Sequence, residues 1–169
     1  MEGDNPYQSP QSMVAEPPGD ENLAGRGVRL GAVVIDAIIA MAISFPLMYL
    51  GGYWQVVIAA ASGTRPSIGL MATWALIGYV VFILVQGYPL HASGQTWGKR
   101  LTSIKIVDLA GNKPSLGKLL LLRYLPQQMV MHVPIAGRLL VLVDVLMIFR
   151  KDRRCLHDLI AGTRVVVAR

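Results

Sequence analysis

The chain has 169 residues, of which 53% are hydrophobic and only 15% are charged, and its formal net charge is +6. Soluble globular proteins carry about 25% charged residues, so this composition argues against a soluble enzyme and against a soluble nucleic-acid-binding protein. The single cysteine, Cys155, excludes an intramolecular disulfide and a metal cluster built from several cysteines. The length is that of one domain, or of one domain with a tail.

The first 25 residues differ in composition from the rest of the chain. They contain five acidic residues and no lysine or arginine, together with four prolines among glutamine, serine, asparagine and glycine. Such a segment cannot bury enough apolar surface to offset the entropy lost on ordering, and it lacks the basic start and apolar run of a secretory signal. We predict an acidic, disordered cytoplasmic tail over 1–25 and a membrane domain over 26–169.

Two long uncharged stretches have the composition of membrane-spanning helices. They hold 28 and 33 residues without Asp, Glu, Lys or Arg, and a spanning helix needs about 20 mostly apolar residues. We place the spans at 29–50 and 67–87. Tyr53 and Trp54 follow the first span as interfacial aromatic residues, and the second span is expected to end at the turn that closes with Pro89.

The segments that flank the remaining apolar region are basic and contain strand signals. Residues 102–108 are rich in β-branched side chains and precede an Ala-Gly-Asn turn, which predicts a short strand. Ser115 is placed to cap the helix that follows. Near the C-terminus, residues 163–167 (TRVVV) form a second strand-like run, and we hypothesise that it pairs with the first.

Residues 119–149 are apolar but too interrupted for one long span. Pro126, Pro134 and Gly137 divide them into pieces of about 15 residues, which as helices cover about 22 Å of a ~30 Å hydrocarbon core. These pieces predict two short tilted helices or a re-entrant hairpin. Because basic residues accumulate on the cytoplasmic side, the basic cluster 150–154 requires this region to cross twice or to enter and return.

The expected fold is therefore an all-α membrane protein with about four apolar helical segments. Two are full spans, the other two form a short helical hairpin, and a small β element lies on the cytoplasmic side. The protein is expected in the cell (inner) membrane as a multi-pass protein, with both termini cytoplasmic.

Three passages form a recognisable pattern. Residues 29–36 read RLGAVVID, residues 94–100 read GQTWGKR before the strand IKIVD, and residues 156–163 read LHDLIAGT before the valine run. Together, and in this order, they resemble the RDD family of small integral membrane proteins over about residues 26–168. Trp97 stands where that pattern leads us to expect proline. The resemblance implies a role in the transport of an unspecified ligand.

The RDD family is named for one arginine and two aspartates. By position, the resemblance assigns Arg29 and Asp36 to the first two. It assigns Asp158 to the second aspartate, with Asp144 as a competitor because Asp144 also lies in an apolar run.

Asp36 is the main clue to chemistry within the predicted spans. An aspartate at the centre of a spanning helix costs roughly 2.5–3.5 kcal/mol to insert, so it is expected to face the bundle interior and to have a partner. Arg29 lies seven residues earlier, on the same helix face about 10 Å away along the axis. One interpretation is a cation or proton site, and the other is an ion pair with Arg123 or Arg138 that locks helices together.

The remaining polar residues of the apolar region carry weaker signals. Asp144 is expected to pair across helices, in the neighbourhood of Arg123 or Asp36. His157 and Asp158 are adjacent, but adjacent helical residues point about 100° apart and no Gly-x-Ser-x-Gly motif is present. We expect Asp158 to bond backbone amides or the arginines four and five residues before it, and we predict no enzyme activity, no catalytic residue, no metal site and no cofactor.

Basic residues outside the apolar segments are expected to face lipid headgroups, because each base near the surface attracts anionic lipid by about 1 kcal/mol. This attraction accounts for the positive net charge without nucleic acid, which we exclude as a partner. The residues assigned to the headgroup level are Lys99, Arg100, Lys105, Arg150, Lys151, Arg153 and Arg154.

Two functional hypotheses follow from these residues. The first is transport of a small cation or proton with Asp36 as the titrating group, and a chain with so few helices would then need to be a homo-oligomer to enclose a pathway. The second is a non-transporting membrane scaffold or assembly partner, in which buried Arg/Asp pairs determine how the helices pack.

Overall fold

The computed structural model describes residues 22–131 and 136–168. Most of the predicted acidic tail, residues 1–21, lies outside the described residues, and so do Pro134 and the side chain of Arg138. The described part is mostly helical and contains one two-stranded sheet, which confirms the expected fold class.

Two long apolar helices form the membrane-spanning part of the protein. Helix α1 (Arg26–Leu50) and helix α3 (Ile68–Ser93) reach mean hydropathies of 2.2 and 2.3, and only 6% and 0% of these apolar windows is buried within the described part. A soluble protein would bury such helices in its core, whereas these expose their apolar side chains as lipid-facing helices do. The two helices confirm the predicted spans, and a shorter helix, α2 (Tyr53–Ala61), connects them.

Helix α3 runs past the turn at which we expected it to end. Pro89 has no N–H and therefore cannot donate to the carbonyl of Val85 one turn earlier. The indole Nε1 of Trp97 donates to that carbonyl oxygen instead, at 2.8 Å, so the buried acceptor is satisfied. The helix ends only at Ser93, where Gly94 adopts the left-handed conformation with φ 67°, which favours glycine. The predicted helix end is therefore wrong.

A second helical region begins at the predicted cap. The Oγ of Ser115 accepts a hydrogen bond from the backbone N–H three residues later, at 3.3 Å, which confirms the cap. Helix α5 (Leu116–Lys118) continues through a π-helical turn (Leu119–Tyr124) into helix α6 (Leu125–Met131). The chain thus stays helical through Pro126, because the wider π turn directly before it accommodates a residue that a regular helix interior tolerates poorly.

Helix α7 (Ala136–Leu146) contacts helix α6 and ends in a 3₁₀ turn (Met147–Phe149). Its 11 residues cover only about 16 Å at 1.5 Å per residue, which is too short to cross a bilayer alone. The contact between α6 and α7 agrees with the predicted helical hairpin. A double crossing of the membrane by this hairpin stays a prediction.

Four short elements form a cap that joins one end of the long helices to the hairpin. Strands β1 (Ile104–Asp108) and β2 (Thr163–Val167) pair antiparallel, which confirms the hypothesised pairing. Helices α4 (Trp97–Leu101) and α8 (Leu156–Ile160) lie beside them. We refer to α4, β1, α8 and β2 together as the cap.

The folded part begins before the boundary predicted at residue 26. Leu23 forms an isolated bridge with Val166, and the N–H of Ala24 donates to the carbonyl of Val165 at 3.1 Å. Ala24 is fully buried with Ile106 in the apolar core of the cap. Composition does not reveal this backbone pairing, so the domain boundary moves a few residues toward the N-terminus.

Helix α4 lies directly against helix α1 because Gly98 has no side chain. A Cβ at this position would lie 2.2 Å from the carbonyl oxygen of Ala32 and 2.8 Å from the Cγ of Asp36, and both distances are shorter than van der Waals contact. This close approach brings the N-terminal end of α4 to the carboxylate of Asp36.

Candidate functional site

The carboxylate of Asp36 faces the interior of the protein, where three neutral groups donate hydrogen bonds to it. Gln86 of α3 donates through Nε2 at 3.0 Å, Thr96 donates through its hydroxyl at 2.5 Å, and the backbone N–H of Gly98 donates at 2.8 Å. Among the described residues, no basic side chain forms an ion pair with the carboxylate of Asp36 within 4 Å. The expected partner is therefore present, but it is a set of neutral donors.

Thr96 connects Asp36 with Lys99. The hydroxyl of Thr96 caps helix α4 by accepting from the backbone N–H of Lys99 at 3.3 Å, and it lies 3.5 Å from the Nζ of the same lysine. Lys99 is only 8% exposed, because α4 packs against α1 and encloses its side chain. The prediction that Lys99 faces lipid headgroups is wrong.

The other basic residues predicted at the headgroup level fall into two groups. Arg153 and Arg154 are half-buried and bind backbone carbonyls, since Nη1 of Arg153 donates to Leu23 at 3.2 Å and Nε of Arg154 donates to Thr163 at 3.1 Å. These two arginines therefore hold the cap together. The remaining four keep exposed or partly exposed side chains: Arg100, Lys105, Arg150 and Lys151.

A second buried carboxylate, Asp158, binds two arginines at once. Its Oδ2 lies 2.7 Å from the Nη2 of Arg29, and its Oδ1 accepts from the Nη1 of Arg123. The backbone N–H of Cys155 at 3.2 Å and the hydroxyl of Thr163 at 3.3 Å complete the shell. Asp158 is 0% exposed, and its partners join α1, the π-helical turn and the cap.

The arginines are paired differently from our expectation. Arg123, considered as the partner of Asp36, binds Asp158, and Arg29 on the same helix as Asp36 also binds Asp158. The reason is that neutral donors at the start of α4 already surround Asp36, whereas Asp158 lies buried between both guanidinium groups. Asp158 accepts the expected hydrogen bond from a backbone amide. Its side-chain partners, however, are Arg29 and Arg123, and not the two arginines that lie four and five residues before it.

Asp144 on helix α7 pairs with His157. The Nδ1 of His157 lies 2.7 Å from the Oδ2 of Asp144, and the backbone N–H of His157 donates to Oδ1 at 3.1 Å. The other ring nitrogen, Nε2, lies 3.8 Å from the carboxylate of Asp158. Asp144 does pair across helices, as expected, but its partner is His157 and neither Arg123 nor Asp36.

Two cavities lie in series between the long helices. The first has a volume of about 350 Å³ and is lined at the cap end by Asp36, Lys99, Arg123 and His157. The second has a volume of about 170 Å³ and reaches Tyr53 and Trp74 near the opposite helix ends. Four residues line both cavities: Ser44, Gly78, Val81 and Gln128. The two cavities therefore adjoin, and together they extend along α1 from Val33 to Met48 and along α3 from Trp74 to Gln86.

Three groups of the metal-binding type lie close together where the cap meets helix α7. The ligand atoms of Asp144, Cys155 and His157 are within 4.8 Å of one another. Burial raises the pKa of the Cys155 thiol to about 11, although Arg29 acts in the opposite direction. The thiol is therefore protonated at neutral pH in the metal-free protein, and metal binding here would release a proton.

Acid is expected to destabilise the protein in two steps. Burial lowers the pKa of His157 and Arg123 lowers it further, so the unfolded chain binds a proton that the folded chain does not, and stability falls below about pH 6.5. Burial alone would raise the pKa of Asp158, but Arg123, His157 and Arg29 outweigh it and hold that pKa well below its usual range. The stability that depends on Asp158 is present above about pH 4 and is lost as the pH falls further.

Thermal unfolding of the detergent-solubilised protein between about pH 8 and about pH 3 measures both steps. His157→Gln should remove the upper step and leave the lower one. A melting temperature that stays constant from neutral pH down to about pH 4 in the wild-type protein would contradict the assignment to His157.

The sequence analysis did not identify the hydrogen-bond partners of Asp36, although two of them have a sequence feature that indicates a buried polar contact or a helix cap. Gln86 is an uncharged polar residue inside an apolar span, and polar side chains at membrane depth usually face a partner. Thr96 precedes a short basic segment in the manner of a helix N-cap. Gly98 carries no signal of this kind, because the sequence does not show that another helix approaches it.

The comparisons with known proteins agree with the pattern of residues. The model of the RDD family matches residues 23–162, a range that contains Arg29, Asp36, Asp144 and Asp158. The chain is 32% identical over 145 residues to the uncharacterised protein YckC of Bacillus subtilis (strain 168), an alignment that covers 86% of this chain and 85% of that protein. No solved structure matches the chain. With its two long apolar helices, the chain is a membrane protein that belongs to the RDD family.

Proposed function

We propose that this protein transports protons across the membrane along the two adjoining cavities, with Asp36 as the group that binds and releases the proton. The observation that carries the proposal is the pair of adjoining cavities, which begins at a carboxylate near the cap and continues along the same two helices as far as Met48 and Trp74. Ser44 and Gln128 supply polar groups where the cavities meet.

The charges around the cavity favour a proton over a metal cation. Lys99 and Arg123 line the first cavity together with Asp36, and His157 is neutral at neutral pH because its pKa is lowered by burial. The charge of Arg123 is balanced by Asp158, so Lys99 is the cation of this cavity that opposes the entry of Na⁺ or K⁺. A proton that moves between hydroxyl, carboxyl and water groups does not require a free cation inside the cavity.

Thr96 is the partner that permits Asp36 to change its protonation state. The amide of Gln86 and the backbone N–H of Gly98 donate to the carboxylate through N–H groups. The hydroxyl of Thr96 both donates and accepts, so it can turn and accept from a protonated Asp36. This exchange needs no movement of a helix.

The wider setting of the proposal includes assembly and location. We propose a homo-oligomer, because two long helices leave the cavities open toward lipid unless a second copy covers them. We also propose that the protein lies in the inner membrane with both termini in the cytoplasm and that its exposed basic residues contact anionic lipids. We propose no enzymatic reaction.

Proton flux in reconstituted vesicles tests the proposal. Wild-type protein in vesicles with a trapped pH-sensitive dye should dissipate an imposed pH gradient, and Asp36→Asn should reduce the rate to that of empty vesicles. The matched control is Asp152→Asn, which removes a carboxylate that pairs with Arg150 at 3.3 Å and accepts from the backbone N–H of Arg154, away from both cavities, and should leave the flux unchanged.

Two outcomes would contradict transport. One is a wild-type protein that moves no protons under pH, Na⁺ or K⁺ gradients, and the other is an Asp36→Asn protein that is as active as the wild type. Size measurement in detergent checks that the variant keeps the wild-type assembly, and a strict monomer would contradict the proposed oligomer.

The second candidate is a non-transporting membrane scaffold. It is favoured by the complete set of neutral donors around Asp36 and by the two arginines on Asp158, since both arrangements hold helices together. Under this hypothesis Asp36→Asn lowers the yield or the assembly of the protein, and vesicles with wild-type protein show no proton flux. A partner protein copurifies with the wild type but not with the variant.

A further inference from the structure

We propose that the first cavity binds an organic anion, whose charged group lies against Lys99 and Arg123 and whose apolar part lies between helices α1 and α3. The inference rests on the proposed function in one respect, since it assigns a second ligand to the same cavity through which we propose that protons move.

Lys99 is a buried cation that makes no direct ion pair with a described residue, since the hydroxyl of Thr96 separates its Nζ from the carboxylate of Asp36. Its side chain is 8% exposed, and the contact of its Nζ is the neutral hydroxyl of Thr96 at 3.5 Å. No carboxylate lies within 4 Å of this ammonium group in the part of the chain that the structure describes. An unpaired buried charge is strongly unfavourable, so a bound anion would remove a large cost at this position.

Arg123 adds a second cation to the same cavity. Its Nη1 binds Asp158 and the hydroxyl of Thr163, the latter at 2.6 Å. Its Nε is buried and makes no hydrogen bond with any of the described residues. Arg123 and Lys99 both line the first cavity, so two basic side chains border the same volume.

The remaining cavity wall is mostly apolar. Val33, Ala37, Phe82 and Val85 line it along α1 and α3, and the volume of about 350 Å³ lies at the lower end of the range for small-molecule sites. A solute that fits this surface has one negative group at the cap end and a short apolar body. Inorganic anions match the charge but leave the apolar wall uncovered.

Two sources offer this chemistry. One is a free carboxylate or phosphate ester with a short apolar chain, and the other is an anionic lipid that enters from the bilayer. Both present a negative oxygen group next to hydrocarbon, so the experiment includes an arm for each.

Octanoate is the probe for the free anion. Calorimetric titration of the full-length protein in a neutral detergent should show octanoate binding to the wild type, with octanol as the uncharged probe of the same length that fails to bind. Lys99→Gln should weaken octanoate binding by about tenfold or more, because a hydrogen bond to a charged group contributes roughly 1.5–3 kcal/mol. Lys99→Arg keeps the charge and should retain binding.

The neighbouring residue supplies a matched control. Arg100→Gln removes the same charge one position later, from an exposed side chain that contacts the ring of Trp97, and should bind octanoate as the wild type does. Equal binding by Lys99→Gln and Arg100→Gln would overturn the proposal, and so would equal binding of octanol and octanoate. If Lys99→Gln does not fold, the melting temperature of the wild type is measured with each compound instead. Octanoate should raise it and octanol should not, and an equal effect of the two would overturn the proposal.

Nanodiscs with and without phosphatidylglycerol distinguish the two sources. Loss of octanoate affinity as phosphatidylglycerol replaces phosphatidylcholine supports the anion site and assigns it to a lipid headgroup. Unchanged affinity supports the same site with a soluble anion as its occupant. The binding measurement uses no proton gradient, so octanoate binding without flux refutes only the transport proposal, and flux without octanoate binding refutes only this inference.

Discussion

Replacement of Asp158 by asparagine is expected to destabilise the protein far more than the loss of an exposed charge does. The change leaves the buried guanidinium groups of Arg29 and Arg123 without their shared carboxylate. Removal of one partner from a buried ion pair typically costs about 3–5 kcal/mol, and in this protein two cations lose their partner together. Thermal unfolding in detergent should show a lower melting temperature and a lower yield of folded protein.

Two comparisons test the cause of this loss. Asp152→Asn breaks an exposed pair with Arg150 and should change stability by less than about 1 kcal/mol. Addition of Arg123→Met to Asp158→Asn should restore part of the lost stability, because an apolar side chain of similar length carries no buried charge. A single Asp158→Asn variant as stable as the wild type would show that the two arginines do not depend on this carboxylate.

Gly98→Ala is the second substitution with a large expected effect. The new Cβ would lie 2.2 Å from the carbonyl oxygen of Ala32, and a backbone atom cannot move aside as the end of a flexible side chain can. Added atoms in a packed interior typically cost about 1–3 kcal/mol, and this contact between two helices belongs at the upper end. Separation of α4 from α1 also removes the N–H that Gly98 donates to Asp36, so both the melting temperature and the proton flux should fall.

The control for this substitution is another helical glycine. Gly117 has nothing within 4 Å of its ideal Cβ position, so Gly117→Ala should keep the wild-type stability or raise it by up to about 1 kcal/mol through helix propensity. If the melting temperatures of the two alanine variants are equal, α1 and α4 do not pack as closely as the structure describes.

Asp158 and Asp36 differ in their partners and in their position relative to the cavities. Asp158 lies outside the lining of both cavities, and two arginines hold it through ion pairs. Asp36 has neutral partners and lines the first cavity with Lys99. A carboxylate held by neutral donors beside open volume can gain or lose a proton without breaking an ion pair, which is the physical basis of the transport proposal.

Local features of the sequence determined the helical and strand elements. Long uncharged apolar stretches predict α1 and α3 because insertion into hydrocarbon depends on the composition of the segment itself. The β-branched runs that became β1 and β2 and the cap at Ser115 are equally local. The end of α3 was predicted wrongly, because the carbonyl that Pro89 leaves unpaired is satisfied by Trp97, a residue outside the helix.

Only the tertiary structure decided which charged groups meet. Arg29 and Asp158 are 129 positions apart in the chain, and hydropathy and spacing do not rank such distant partners. Lys99 and Arg100 look alike in sequence, yet one is enclosed and the other is exposed, because the packing of α4 on α1 places them in different surroundings. The sequence by itself thus determined the membrane helices and the family. The fold determined which charges are buried, their partners and the cavities, since all three depend on contacts between segments that are distant in the chain.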